Sequence, residues 1–210
     1  MILDLFQQFR INPSILCGDY PEMVKFLHRQ GDHTLKKGYG NAPTDQEASF
    51  AVEAEKAGYT FISKDAKIPT EGMFYKYQLN GSQSNIDFML IENDRSIKID
   101  LKSSKGMTFY WNDGWFETDV IYIVSFRSKK VDKVYIGYGE ESYEKEDNDA
   151  WVTIREIIKK MNKDTKKTKF LKIYNRLANQ YSCKQFTDEF SETKFQSLKT
   201  KLSVQLAESA

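Results

Sequence analysis

Cysteine and histidine are scarce in this sequence. Its 210 residues include two cysteines, Cys17 and Cys183, and two histidines, His28 and His33. Two cysteines are too few for a disulfide framework or a thiolate metal site. The histidine spacing excludes a His-x-x-x-His zinc pair, and no motif around either histidine supports a Ser-His-Asp hydrolase or a histidine-metal enzyme. If the chain is an enzyme, its catalytic side chains are therefore expected to be carboxylates and lysines.

Long apolar runs and an excess of charge of one sign are also absent. No segment reaches the roughly 18 consecutive apolar residues of a membrane span. The first ten residues contain the acidic Asp4 and no small-residue cleavage site, so no signal peptide is predicted. The 31 Lys and Arg residues nearly balance the 30 Asp and Glu residues. The net charge therefore does not indicate a polyanionic partner, and any attraction to one would have to come from a local basic patch. The sequence predicts a soluble cytoplasmic protein with no membrane partner.

The composition is that of one folded domain covering residues 1–210. Apolar residues make up 40% of the chain, enough for a core. Periodicity predicts amino-terminal helices within 1–58, a run of strands within 72–138 and carboxyl-terminal helices within 151–207. The acidic segment 140–149 is predicted to be an exposed loop. The lysine-rich segment 159–172 fits either a solvated helix end or a phosphate-contacting patch.

Three charged residues in the predicted sheet form a candidate active site. Asp100 and Lys102 share one face of a predicted strand, because side chains alternate with a period of two. A four-residue turn at Asn93–Ser96 would place Asp87 opposite Lys102 and diagonal to Asp100 on that face. Two carboxylates beside a lysine suit Mg²⁺ and the developing charge of phosphodiester hydrolysis. The alternative is a set of exposed charges on the wet face of a hairpin.

At these residues the chain resembles the PD-(D/E)xK nuclease superfamily, and in particular its type II restriction endonucleases. Asp87 matches the first aspartate of the family motif, Asp100 its second acidic position and Lys102 its lysine, while Ile86 stands where the family has proline. The resemblance covers Asn85 to about Tyr138. It includes two hydroxyl residues after the lysine and a WND…IYI stretch, namely Ser103, Ser104, Phe109–Gly114 and Val120–Ile123.

The resemblance implies an α/β fold with a restriction-endonuclease-like core, a central mixed β-sheet flanked by helices. It implies Mg²⁺-dependent hydrolysis of double-stranded DNA at a short, palindromic sequence. It also implies metal ligands at Asp87, Asp100 and Leu101, catalysis by Lys102 with those aspartates, a homodimer, and a cognate DNA methyltransferase. Either the amino-terminal helices or Ser191–Leu206 would form the dimer interface.

Members of the family often carry a further glutamate on the helix before the sheet. Glu47 is the candidate here, because Ala51 and Ala54 follow it at four and seven residues and place it at the head of an inward-facing stripe. Glu53 and Glu55 are expected to be surface residues, and Glu71 remains an alternative. The expected DNA contacts are residues of a basic loop and of the segment that follows the active strand, namely Lys36, Lys37, Ser103, Ser104, Lys105, Asn112 and Asp113.

Three other functions stay open. A Holliday-junction resolvase or repair nuclease of the same superfamily would read DNA structure rather than sequence. A GIY-YIG nuclease would use Tyr122, Tyr135 and Arg155, because Val120–Tyr122 and Tyr135–Gly137 imitate its two tripeptides. A DNA-binding module without enzymatic activity would leave the acidic pair without a catalytic role.

Overall fold

The computed structural model describes residues 1–31, 43–78, 86–93, 95–104, 108–112, 115–128, 131–165, 178–182 and 186–207. Within these ranges the chain forms five α-helices: α1 (Ile2–Ile11), α2 (Pro21–Gln30), α3 (Asp45–Lys56), α4 (Lys145–Thr165) and α5 (Asp188–Ala207). The strands are β1 (Thr60–Phe61), β2 (Met73–Tyr77), β3 (Phe88–Glu92), β4 (Arg95–Ser104), β5 (Thr108–Asn112), β6 (Val120–Ser128), β7 (Val131–Tyr138) and β8 (Ala178–Ser182). None of the described helices is long and apolar enough to cross a membrane.

Six of these strands form one mixed sheet in the order β1-β2-β3-β4-β6-β7. The β1–β2 and β4–β6 pairs are parallel, and the β2–β3, β3–β4 and β6–β7 pairs are antiparallel. A separate antiparallel pair joins β5 to β8. The predicted α/β fold with a mixed sheet and flanking helices is therefore confirmed. Asp100 and Lys102 lie on β4, the longest described strand, which pairs with β3 on one side and with β6 on the other.

Apolar side chains cover both faces of the sheet, because the alternating residues of β4 and β6 point to opposite sides. On one face the sheet packs against α1, α3 and α5 through residues such as Phe6, Phe50 and Leu198. On the other face Val120, Tyr122 and Val124 join a second cluster, together with a smaller set of aromatic residues that includes Phe116, Tyr135 and Phe186. The middle of the sheet is therefore largely buried, and Asp100 on β4 is 0% exposed.

The β3–β4 turn is shorter than predicted. Glu92 pairs with Arg95 and Phe88 with Ile99, so two residues, not four, connect the strands. Asn93 has a φ of +47°, the left-handed conformation that tight hairpin turns require and that asparagine tolerates. The predicted pairing of Asp87 with Lys102 is therefore wrong by two positions. A shift of two residues preserves the face of every side chain.

Two other predicted segments differ from the structure. The acidic segment 140–149 is not a loop throughout, because α4 already begins at Lys145 and extends the predicted helix at its amino end. Within the segment 151–207 that was predicted to form the carboxyl-terminal helices, Ala178–Ser182 instead pairs with β5 as a strand, so the prediction is wrong there. Residues 166–177 lie outside the described residues.

Candidate active site

The centre of the candidate site is an ion pair on β4. The Lys102 ammonium donates hydrogen bonds to both carboxylate oxygens of Asp100, with Nζ–O distances of 2.5 and 2.6 Å. The Asp100 side chain is 0% exposed, whereas 22% of the Lys102 side chain is exposed. The lysine therefore connects a fully buried carboxylate to the surface of the molecule.

Asp87 approaches this pair from the residue just before β3. Its backbone N–H donates to the carbonyl oxygen of Ile99 at 3.0 Å, which continues the hairpin and sets Asp87 level with Asp100. Its Oδ2 accepts a hydrogen bond from the Leu101 N–H at 2.8 Å. A strand residue presents its N–H and C=O toward the same neighbour, so the Leu101 carbonyl lies on the same edge of β4. The three residues predicted to bind metal are thus adjacent.

Glu47 enters the site at the first turn of α3. Thr44 begins the helix with a capping box: its hydroxyl accepts from the Glu47 N–H at 3.1 Å, and its own N–H donates to Oε2 of Glu47. The other carboxylate oxygen accepts a hydrogen bond from the Tyr77 hydroxyl at 2.9 Å. Both oxygens of this buried carboxylate are therefore held in place by the cap of α3 and by β2.

The carboxylates of the site repel one another in a poorly solvated place. Burial, and next the negative charge of Asp87, raise the pKa of Glu47 to about 7. Burial raises the pKa of Asp100 well above its usual value, and the ammonium of Lys102 only partly opposes this. Burial lowers the pKa of Lys102, but the attraction of the carboxylates outweighs it, and the net shift is upward. Lys102 is thus a cation at neutral pH.

The donor set fits a hard divalent cation. Mg²⁺ prefers oxygen ligands and is commonly held by one or two carboxylates, with water completing the octahedron. Asp87 and Asp100 supply two carboxylates, and Leu101 supplies a carbonyl oxygen. Within the described residues no group of three or more His, Cys, Asp and Glu side chains is arranged to hold a metal ion. Asp87, Asp100 and Glu47 all act electrostatically on the single ammonium of Lys102, and a divalent cation would add positive charge at this cluster.

The other candidate glutamates lie away from this cluster. Glu55 is exposed and accepts a hydrogen bond from the Tyr75 hydroxyl at 2.8 Å. The expectation that Glu53 is a surface residue is wrong, because Glu53 is buried and pairs with Lys56 at 2.7 Å on its own helix. Glu71 is exposed before β2. Of the four glutamates considered in the sequence, Glu47 is the one whose charge the structure brings to Asp87.

The predicted DNA contacts are only partly described. Ser103 is exposed beside the ion pair, whereas Ser104 is buried and its hydroxyl donates to the carbonyl of Thr108. Asn112 lies at the end of β5, paired with Ala178. The remaining predicted contacts, Lys36, Lys37, Lys105 and Asp113, lie outside the described residues.

The tyrosines of the GIY-YIG alternative are core residues. Tyr122 is 0% exposed and Tyr135 is 1% exposed. The Tyr135 ring stacks on Phe186 with a centroid distance of 4.1 Å. Arg155 lies on α4, with its guanidinium 6.0 Å from the Trp151 ring centroid. A nuclease site needs tyrosine hydroxyls that a phosphate can reach, so burial argues against this alternative.

Sequence reasoning missed three polar residues around the cluster. Tyr77 donates to Glu47, and Gln78 in turn donates its side-chain amide to the Tyr77 hydroxyl at 2.9 Å. Gln46 donates its amide to the carbonyl of Lys102 at 3.3 Å. The alternation of β2 placed Tyr77 on one face, but no sequence pattern indicates which helix residue that face meets.

Glu47→Gln should remove a pH dependence of stability. The folded state raises the pKa of Glu47 from its usual 4.5 to about 7, so its contribution is fully present below pH 4.5 and is lost as the pH rises through about 7. We therefore expect the difference in Tm between Glu47→Gln and wild type to move in favour of the variant between these pH values and to stay constant above. Thermal unfolding at a series of pH values measures this.

Glu53→Gln is the matched control, because Glu53 is a buried glutamate of the same helix away from the cluster. A profile that Glu47→Gln leaves unaltered would contradict the position assigned to Glu47. Glutamine is itself a capping-box residue, so the cap of α3 is retained in the variant.

The chain matches no protein-family model, no curated protein and no solved structure.

Proposed function

We propose that the chain is a Mg²⁺-dependent endonuclease that cleaves double-stranded DNA at a short specific sequence, as a type II restriction endonuclease does. The observation that carries this proposal is the meeting of Asp87, Asp100 and Lys102 at one point of the sheet, with Glu47 alongside. Strand periodicity and the family resemblance indicated these residues, which lie on β4, on α3 and just before β3. If these charges merely lay on the solvent-facing side of a hairpin, they would be exposed, whereas Asp100 is fully buried.

Each residue of the cluster has a chemical task in this proposal. Asp87, Asp100 and the Leu101 carbonyl would hold the metal ion, which supplies positive charge to the scissile phosphate and acidifies the attacking water. Lys102 stays protonated, so it acts as a hydrogen-bond donor that orients the water and stabilises charge developing on the phosphate. Glu47 adds negative charge beside Asp87 and is held by Tyr77 and Thr44.

The proposed function also implies a fold type, a dimer and a partner enzyme. The mixed sheet with β4 at its centre would be a restriction-endonuclease-like core. A palindromic target read by one small domain calls for a two-fold dimer, because each active site then cuts one strand. A chain that cuts unmodified DNA also calls for a cognate DNA methyltransferase as a functional partner. Ser103 is exposed and follows Lys102 on β4, so it is the described residue of the predicted set that we assign to the DNA backbone.

A cleavage assay on a long unmethylated duplex tests the proposal. Wild-type protein in Mg²⁺ should give discrete fragments on a gel, and Ca²⁺ should support binding without cleavage. Asp87→Asn should give none. The control is Asp119→Asn, which removes an exposed carboxylate that pairs with Lys98 at 2.5 Å outside the cluster, and this variant should cut as wild type does.

The pattern of fragments separates the alternatives. A smear in Mg²⁺, or cleavage confined to branched DNA, would assign the site to a structure-reading nuclease of the same superfamily. Binding without cleavage in any divalent cation would assign the chain to a DNA-binding module and contradict the proposal. Cleavage by Asp87→Asn at the wild-type rate would show that the active site lies elsewhere.

A further inference from the structure

Helix α4 carries an apolar stripe on its exposed side. Ala150, Ile154, Ile157 and Met161 follow one another at spacings of four, three and four residues, the pattern of a coiled-coil seam. The side chains of Ile154, Ile157 and Met161 are 44%, 54% and 46% exposed. Exposed apolar residues aligned along one helix face mark an interaction surface, whereas scattered ones need no explanation.

The helix is held to the rest of the molecule on another side. Of the α4 side chains that the structure describes, Trp151 alone is buried, and its ring stacks on Trp115 with a centroid distance of 5.7 Å. At about 100° per residue, Trp151 lies about 60° from Ile154 and about 120° from Ile157 around the helix. Val152 lies roughly opposite Ile154, about 200° around the helix. The stripe and Val152 therefore flank the buried side of α4 on its two sides, and both are exposed.

The charges on α4 and the turn before it are divided between its two ends. Residues 144–149 contain four carboxylates and one lysine, whereas the other end of α4, residues 159–165, contains three lysines and one aspartate, Asp164. The charged side chains at 144–149 and the three lysines are exposed. Acidic residues at the amino end and basic residues at the carboxyl end also stabilise the dipole of a single helix. The dipole, however, acts only on the first and last turns, and it does not explain the apolar stripe between them.

We propose that α4 pairs with α4 of a second copy of this chain in an antiparallel, two-fold arrangement. Such a pairing brings the acidic end of each helix to the basic end of the other, with Ile154 and Ile157 meeting across the axis. A parallel pairing would bring like charges together at both ends. A two-fold interface must be self-complementary, and a helix with opposite charges at its ends meets that condition. This interface differs from the two that the sequence suggested, and it does not depend on the chemistry at the sheet.

Sedimentation equilibrium of the full chain and of two matched variants tests the interface. One chain has a mass of 24.5 kDa, and wild type should sediment as a dimer. Ile154→Asp should weaken the dimer roughly 100-fold, because the buried substitution occurs twice at the two-fold axis. Val152→Asp, at the same 44% exposure on the opposite side of the helix, should leave the dimer unchanged. Both positions are exposed, so both variants should fold, as circular dichroism can verify.

A charge-exchange experiment tests whether the charged ends of α4 contribute to the pairing, without relying on the apolar seam. Replacing Lys159, Lys160 and Lys163 by glutamate should prevent self-association, as should replacing Glu146, Asp147 and Asp149 by lysine. Mixing these two variants should restore a dimer. The proposal is overturned by a wild-type monomer, by equal effects of Ile154→Asp and Val152→Asp, or by failure of the mixture to associate. A dimer that does not cleave DNA would leave this interface in place and reject the nuclease alone.

Discussion

Asp100→Asn is expected to abolish Mg²⁺-dependent cleavage of duplex DNA, with a fall in rate of roughly 1,000-fold or more. The physical reason is the loss of one of the two carboxylates that, with the Leu101 carbonyl, are proposed to hold the metal ion. Asparagine retains the shape of aspartate and one oxygen, but it lacks the negative charge that attracts a divalent cation. Initial rates on a fixed DNA fragment measure the effect.

The fold should survive this substitution. Asp100 is fully buried, so replacing its carboxylate by a neutral amide removes a desolvated charge, and Lys102 keeps 22% of its side chain in contact with solvent. Circular dichroism and the unfolding midpoint in urea should confirm a folded protein. Asp119→Asn serves as the control for a lost carboxylate outside the cluster. Cleavage by Asp100→Asn near the wild-type rate would remove Asp100 from the active site.

The sequence was sufficient to place Asp87 and Asp100 on one face, although it gave the wrong turn. Side-chain direction in a strand depends on whether a position is odd or even, so an error of two residues in the register left each carboxylate on its side. The length of the turn depends on the conformation of Asn93, whose positive φ is a local choice that strand periodicity does not contain. The correct register brings the two carboxylates closer than the predicted diagonal did.

Contacts between elements that are distant in the chain could not be predicted from the sequence. The inward stripe of α3 indicated Glu47 correctly as the glutamate facing the sheet, because helical periodicity is a local property. The hydroxyl of Tyr77 and the amide of Gln46 reach the cluster through the packing of α3 on the sheet, which no local pattern encodes. The same holds for β8, whose strand conformation depends on pairing with β5 and overrode the helical appearance of its sequence.

Lys102→Met should destabilise the protein by about 3–5 kcal/mol at neutral pH in the absence of divalent cations. The substitution leaves Asp100 buried without a cation, and an uncompensated charge in a poorly solvated place is costly. The reverse change, Asp100→Asn, should cost less, because the remaining lysine can reach solvent. Urea unfolding in the presence of a chelator gives the free energies of both variants.

The double variant Asp100→Asn/Lys102→Met provides the decisive comparison. It has neither charge, so it should recover most of the stability that Lys102→Met alone loses. The deficit of the single variant should also shrink as the pH falls toward the usual pKa of aspartate, because burial favours the protonated, neutral form of Asp100. Equal stability of the single and double variants at neutral pH would mean that Lys102 does not stabilise a buried charge.

The same pair of variants tests the metal site without any measurement of activity. In Lys102→Met the carboxylates of Asp87 and Asp100 face no ammonium, so a bound divalent cation would replace the missing positive charge. Mg²⁺ or Ca²⁺ should therefore raise the Tm of this variant more than that of wild type. The cation should have little effect on the double variant, in which one of the two carboxylates is absent. A cation-dependent rise of equal size in all three proteins would place the ion away from β4, even if the chain cleaves DNA.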